Sequence, residues 1–230
     1  MYDISFVGTS NYRAYFYLKA IKEAKIKLNS VKIYNYKKLD ISSFKNKKIE
    51  YMNFSITIDE SFENLLKYFE TEFIEKTSIN DFTDELDESS NHIYIFCGNG
   101  GEIVNKNILK KTRFLHIHPG KLPEYRGSTT IYYSLLKESI CYATAFFLDS
   151  KIDTGDIIKE MSFEILDVDF DYLYDPFIRT YLLIDILTLK NFNTRKQKRD
   201  NKKEYYIIHP VLKKLALNKK EIIVKNEKSL

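Results

Sequence analysis

The order of apolar runs at the amino end constrains this chain more than any other feature. Residues 3–7 form a short apolar run that stops at Gly8, and Thr9, Ser10 and Asn11 follow as helix N-cap candidates. Ala14, Tyr17, Leu18 and Ile21 then recur at helical spacing, which predicts an amphipathic helix through about residue 25. Residues 31–36 read as the next strand. Strand, helix and strand within about 35 residues make a βαβ unit, and such a unit demands a parallel sheet with a right-handed crossover. The predicted fold class is therefore α/β with a mostly parallel sheet, whose ligands belong at the carboxyl edge of the strands.

Further elements follow the same logic. The pattern predicts a second helix over 60–76, a loop over 80–91, a buried strand over 92–97, a strand over 113–117, a helix over 128–138 and an alternating strand over 142–148. Beyond Glu160 the pattern changes to a helix over 172–189, a basic polar stretch over 191–203 and a short strand over 205–208. This divides the chain into a core over 1–160 and a small C-terminal helix and hairpin extension over 161–230. The length of 230 residues suits one domain with an appendage, at about 100 to 200 residues per domain. A hydrophobic content of 44% supplies its core.

Charge narrows the partners. Lys and Arg number 36 against 32 Asp and Glu, and a net charge of +4 is too small and too mixed to announce a nucleic acid or a membrane. The basic run over 195–203 reads as a solvated loop, with phosphate contact as the alternative. Cys97 and Cys141 sit in apolar runs that suit buried thiols and make no disulfide framework. Neither a secretory leader pattern nor a run of about 18 apolar residues is present, so the expected location is cytoplasmic.

The chemistry concentrates in residues 114–158. On a strand over 113–117 that Pro119 ends, His116 and His118 fall on one face, so two of the chain's four histidines point from one strand end. The proline-punctuated loop that follows carries Arg126, a planar cation suited to phosphate or carboxylate. Asp153 precedes a Thr-Gly turn that can present a carboxylate. The His-x-His pair with Asp153 or Asp149 is also a metal-ligand pattern, but neither Cys-x-x-Cys nor His-Glu-x-x-His accompanies it, so acid/base work is the favoured reading and no metal is expected. Gly98, Asn99, Gly100 and Gly101 follow the strand over 92–97 at once, as a tight turn or as the wall of a ligand site.

His118-Pro119-Gly120-x-Leu122-Pro123-x-Tyr125-Arg126-Gly127, followed by Asp153-Thr154-Gly155-Asp156-Ile157-Ile158, resembles the motif pair of the 10-formyltetrahydrofolate-dependent formyltransferases. That group includes methionyl-tRNA formyltransferase, glycinamide ribonucleotide formyltransferase and the sugar N-formyltransferases. The likeness covers residues 90–160, extends over 1–90 as the Rossmann-like start, and returns at 205–212 with the C-terminal piece of certain amino-sugar formyltransferases. It implies a catalytic set of Asn, His and Asp. His118 matches the His and Asp153 the Asp, but His116 stands where the Asn belongs.

The resemblance implies 10-formyltetrahydrofolate as formyl donor. Its pterin side would lie along Gly98, Asn99, Gly100 and Gly101 and along Asp149, Ser150, Lys151 and Ile152, with Pro119, Gly120, Tyr125, Arg126, Ser128 and Thr129 on the acceptor side. His118 would take the amine proton, Asp153 would orient and stabilise the charged ring, and His116 would donate to the formyl oxygen in place of the Asn. A nucleotide-linked amino sugar is the expected acceptor, one of a surface glycan or of the pseudaminic-acid type. After Glu160 too little chain remains for a tRNA-gripping barrel, and the weak net charge argues against a large phosphate-contacting surface. The alternatives are a methionyl-tRNA or glycinamide ribonucleotide formyltransferase, or a catalytically inactive RNA-binding relative. A homodimer is compatible with the sequence.

Overall fold

In a computed structural model the described residues are 2–198 and 204–227. Residues 3–8 form β1 and residues 31–34 form β2, which pair in parallel as Phe6 with Val31 through Gly8 with Ile33. Helix α1 (Tyr12–Glu23) makes the crossover. Asn11 caps it by accepting from the Ala14 amide at 2.9 Å. Its residues from Ala14 to Ile21 are all buried, because helix α5 (Asp175–Leu189) covers the side that faces away from the sheet. Lys19 is buried among them and is held by Asp59 at 2.6 Å, Glu60 at 3.1 Å and Glu23 at 3.1 Å.

The remaining strands are a hairpin of β3 (Lys48–Tyr51) and β4 (Phe54–Thr57), then β5 (Glu72–Ile74), β6 (His92–Cys97), β7 (Arg113–His118), β8 (Cys141–Phe147) and β9 (Ile157–Phe163). Of the nine strands among the described residues, seven make one sheet in the order β5-β2-β1-β6-β7-β8-β9. The first five run parallel, while β8 is antiparallel to both of its neighbours. All six residues of β6 are buried, as expected of a central parallel strand covered on both faces. The chain leaves β1 toward β2 on one side and meets β6 on the other. The strand order therefore reverses between β1 and β6, and a crevice opens there at the carboxyl edge.

Several sequence expectations change in the folded chain. The helix expected over 60–76 is only α2 (Phe62–Tyr68), and the apolar Glu72–Ile74 pairs with β2 instead, after a turn through Glu70 at φ +48°. The β3–β4 hairpin and helix α3 (Lys106–Lys111) are too short to show a period, and strand β9 breaks its apolar pattern with Lys159 and Glu160. Helix α4 covers Thr130–Glu138. The strand expected over 205–208 is a single bridge from Tyr205 to Gly127, and Pro210 opens an 18-residue helix α6 (Pro210–Glu227) in place of a hairpin. Proline suits that first helical position, where no backbone donor is needed. The principal core cluster runs through residues on both sides of Glu160, including Phe177, Leu182 and Leu183 of α5. Residues 199–203 of the basic run lie outside the described residues.

Candidate active site

The carboxyl end of β7 delivers both histidines. β7 pairs with β8 so that His116 lies opposite Phe146 and His118 opposite Thr144. The two rings are then fixed differently.

His118 is buried, and its Nε2 lies 2.6 Å from the Tyr125 carbonyl oxygen and 3.1 Å from the Thr130 hydroxyl. A carbonyl can only accept, so Nε2 carries the hydrogen and Nδ1 carries the lone pair of the neutral ring. Nδ1 faces Asp153 Oδ2 at 3.5 Å. Burial lowers the His118 pKa, while Asp153 and the Tyr125 carbonyl pull it back up. A proton arriving at Nδ1 therefore meets a carboxylate at once.

Asp153 is placed by backbone. Its own φ is +51°, its Oδ2 accepts from the Gly127 amide at 2.8 Å, and Gln197 Nε2 donates to the carbonyls of Asp153 and Gly155 at 2.9 and 2.8 Å. Two glycines make this possible. A Cβ on Gly155 would fall 1.7 Å from the Phe147 carbonyl oxygen, and one on Gly127, at φ +102°, would fall 2.2 Å from that of Tyr205.

His116 Nδ1 lies 3.3 Å from the Phe96 carbonyl oxygen, so its hydrogen points there and Nε2 carries the lone pair. Burial, aided by the nearby Arg13 and Arg179 guanidinium groups, pushes its pKa well below the ordinary histidine value. The one N–H of this neutral ring is thus directed at Phe96. Donation to a formyl oxygen would require that hydrogen to be redirected.

The crevice between the ends of β1 and β6 has a volume of about 270 Å³ and is lined by Thr9, Ser10, Asn11, Arg13, Asn99 and Asp175, among others. Arg13 donates from Nη2 to the Gly98 carbonyl at 2.9 Å. Arg179 joins Asp175 at 2.8 Å and donates to the Ile117 carbonyl, between the two histidines, at 3.2 Å. Helix α5 is thereby locked to β7. A second cleft of about 310 Å³ lies against the amino end of β7, with Arg113 stacked 3.7 Å over the Phe147 ring and Asp149 at its rim.

The expected site residues fall into distinct settings. His118 and Asp153 meet directly. Gly98 is cramped against Tyr34, Phe96 and Glu102, and the Asn99 amide donates to Glu102, whereas Gly100 and Gly101 face open space. In the second loop, the Ser150 amide turns back on Asp149 at 2.5 Å, the Lys151 carbonyl accepts from Thr154 at 3.3 Å, and Ile152 is 40% exposed.

Pro119 and Gly120 are buried. The Pro119 carbonyl accepts from Thr130 at 2.9 Å, and a Cβ on Gly120 would meet Thr130, Tyr125 and His118 at 2.8 to 3.0 Å. Tyr125 gives its carbonyl to His118 and its hydroxyl to Glu138. Arg126, Ser128 and Thr129 are stitched to the C-terminal segment. The Arg126 carbonyl accepts from the Tyr205 amide, the Ser128 amide donates to Tyr205, and the Thr129 hydroxyl accepts from the Ile208 amide.

Sequence reading missed Asn11, Arg13, Asp175 and Arg179. The available signal was Asn11-x-Arg13, a polar cap and a cation on the first turn of the helix that follows β1, directly at the carboxyl edge. Among the described residues, no group of three or more His, Cys, Asp or Glu side chains is disposed to hold a metal ion. No helix among them is long and apolar enough to cross a membrane.

A mostly parallel sheet, a His–Asp pair at the end of β7 and a crevice at the strand-order switch define an α/β protein of the Rossmann-like kind. Residues 59–172, about half of the chain, match the family described as Formyl transferase.

Two solved structures share the fold. The N-formyltransferase from Helicobacter canadensis, solved with folinic acid and dTDP-3-aminofucose, has a TM-score of 0.57 at 20% identity, over 90% of this chain and 71% of that one. The methionyl-tRNA formyltransferase from Clostridium thermocellum has a TM-score of 0.52 at 16% identity, over 92% and 74%. Among curated sequences, the methionyl-tRNA formyltransferase of Nitratiruptor sp. is 33% identical over 69 residues, which is 30% of this chain and 22% of that protein. That of Sulfurovum sp. is 26% identical over 112 residues, 48% of this chain and 37% of the relative. The matched stretches thus span well under half of these curated relatives.

Proposed function

We propose that the protein moves a formyl group from 10-formyltetrahydrofolate to the amino group of a nucleotide-linked amino sugar. The observation that carries the transfer chemistry is the buried His118, whose Nδ1 lone pair faces Asp153 at 3.5 Å. The amine nitrogen attacks the formyl carbon, forming the new C–N bond while the carbonyl oxygen gains negative charge. One amine proton passes to His118 Nδ1, where Asp153 balances the imidazolium. When the oxygen's electron pair re-forms the carbonyl, the bond to the folate nitrogen breaks and that nitrogen takes up the proton. The products are the N-formyl sugar and tetrahydrofolate.

His116 serves the oxyanion in this reading. Its 3.3 Å bond to Phe96 is at the long end for N–H···O, and a charged oxygen is the stronger acceptor. The donor is assigned to the loops carrying Gly98 to Gly101 and Asp149 to Ile152. The acceptor is assigned to the β1–β6 crevice, where Arg13 and the N-terminus of α1 suit a phosphate-bearing ligand. The fold likeness to the Helicobacter canadensis protein, solved with dTDP-3-aminofucose, supports the sugar. The curated relatives support a second reading in which the acceptor is methionyl-tRNA.

The two readings separate on product and on salt. Incubating the protein with 10-formyltetrahydrofolate and either a panel of nucleotide amino sugars or initiator methionyl-tRNA, with mass spectrometry of the products, should give a formylated sugar. The acceptor KM should change by less than about tenfold between 50 and 200 mM salt, because a nucleotide sugar offers only one or two phosphates. A polynucleotide making about 6 to 10 phosphate contacts would instead lose ~10³ to 10⁵ in affinity. Formylated tRNA with that steep slope would replace the sugar reading.

The pH dependence follows from the lowered pKa of His118. The base must be unprotonated, so kcat/KM should rise with pH and level off, and its acid limb should lie below the ordinary histidine value of about 6.5. Asp153→Asn removes a contribution that raises this pKa, so the limb should move to still lower pH while the plateau falls. A limb above about 6.5, or one that Asp153→Asn moves upward, would take His118 out of the base role.

A further inference from the structure

Glu102 gathers hydrogen bonds from three separate parts of the chain. Its Oε2 accepts from the Tyr34 hydroxyl on β2 at 2.5 Å and from the Asn99 amide at 3.0 Å. Its Oε1 accepts from the Ser78 hydroxyl at 2.7 Å and from the Ile79 amide at 2.9 Å. The Glu102 amide closes the turn by donating to the Asn99 carbonyl at 3.2 Å. One half-buried carboxylate therefore joins β2, the turn at 78–79 and the base of the glycine loop.

The loop itself divides into a held base and an open tip. Gly98 has no room for a side chain: a Cβ there would lie 2.6 Å from the Tyr34 hydroxyl and 2.7 Å from Glu102 Oε2, and its carbonyl is taken by Arg13. Gly100 and Gly101 have nothing within 4 Å of where a Cβ would sit. A glycine tip has little conformational preference of its own, so its path is set by the bonds at its base. The two fixed points are Arg13 on the crevice side and Glu102 on the other.

We propose that Glu102 is a positioning residue for the formyl donor, holding the Gly98–Gly101 loop in the shape that receives the folate. This rests on the assignment of that loop to the donor under the proposed function. The carboxylate would touch no reacting atom. It acts through the Asn99 amide and the packing of Gly98, and it fits the task because a carboxylate can accept all four bonds at once. An amide in its place offers one acceptor oxygen and turns a donor toward groups that also donate.

The test uses folinic acid, a stable formylated folate, as the probe. Binding is measured by calorimetry on the full-length protein and on Glu102→Gln, Glu102→Ala and Tyr34→Phe, with hydrogen exchange followed in parallel. The expected result is that both Glu102 variants bind folinic acid at least about tenfold more weakly, consistent with the loss of charge-assisted bonds. Tyr34→Phe should lose less. Exchange should quicken in peptides covering 98–103 and 78–79, while β1 and β7 keep their protection.

Binding within about twofold of wild type in both Glu102 variants would overturn the proposal. So would weakened binding accompanied by faster exchange throughout the sheet in all three variants, which would mark a purely structural role. Failure of the wild-type protein itself to bind folinic acid would instead overturn the donor assignment, and the proposal with it.

Discussion

Replacing His118 with Asn should lower kcat by ~10² to 10⁴ while folate binding stays near the wild-type level, because general base catalysis contributes about that much. The structure sharpens why. Nε2 is committed to Tyr125 at 2.6 Å, so the base is Nδ1, the nitrogen that faces Asp153. Asn keeps a polar amide near the Nδ1 position, but it is too short to renew the Nε2 bond to the Tyr125 carbonyl and it supplies no basic nitrogen. The ring's fixed orientation comes from the 119–130 loop rather than from Asp153, so Asp153→Asn should harm turnover through charge and leave the ring in place. Single-turnover rates with saturating donor check both. A His118→Asn protein retaining more than about a tenth of wild-type kcat would exclude the base role.

The second large effect concerns His116. Its removal as His116→Ala should cost ~10² to 10³ in kcat, the loss seen when other oxyanion donors are deleted. His116→Asn should keep measurable activity, since the family's own donor is an amide that is never short of an N–H. The contrast has a pH signature. The wild-type ring is held neutral by burial and by Arg13 and Arg179, whereas an Asn donor does not titrate at all. Any low-pH change in the plateau that depends on His116 should therefore vanish in His116→Asn. Equal rates for His116→Ala and wild type would mean that this side chain takes no part in the chemical step.

Much of the fold was legible because its signals are local. The apolar run at 3–7, the capped helix after it and the fully buried run at 92–97 each carry their periodicity in a few consecutive residues, and they fix a parallel sheet. The motif pair around His118 and Asp153 was legible for the same reason. Proline and glycine mark turns whose geometry few other residues can adopt, as Gly127 and Gly155 show by the contacts a Cβ would make. The short pieces were not legible. β5 is a strand only because β2 lies beside it, and the segment at 205–208 is irregular because its backbone is spent on Arg126, Ser128 and Thr129.

By itself, then, the sequence determined the α/β class and singled out His118 and Asp153, which the fold brings within 3.5 Å of each other. Only the tertiary structure decided which nitrogen of each histidine is available. That depends on carbonyl groups at Phe96 and Tyr125, and a backbone carbonyl leaves no trace in residue identity. It also decided that Pro119, Gly120 and the Arg126–Thr129 stretch pack inward or against the C-terminal segment, and that Arg13 and Asp175, 162 positions apart in the chain, line one crevice. Such juxtapositions arise from the crossover of α1 and the docking of α5 on it. Helical periodicity tells that those helices have a buried face, but not which face they will share.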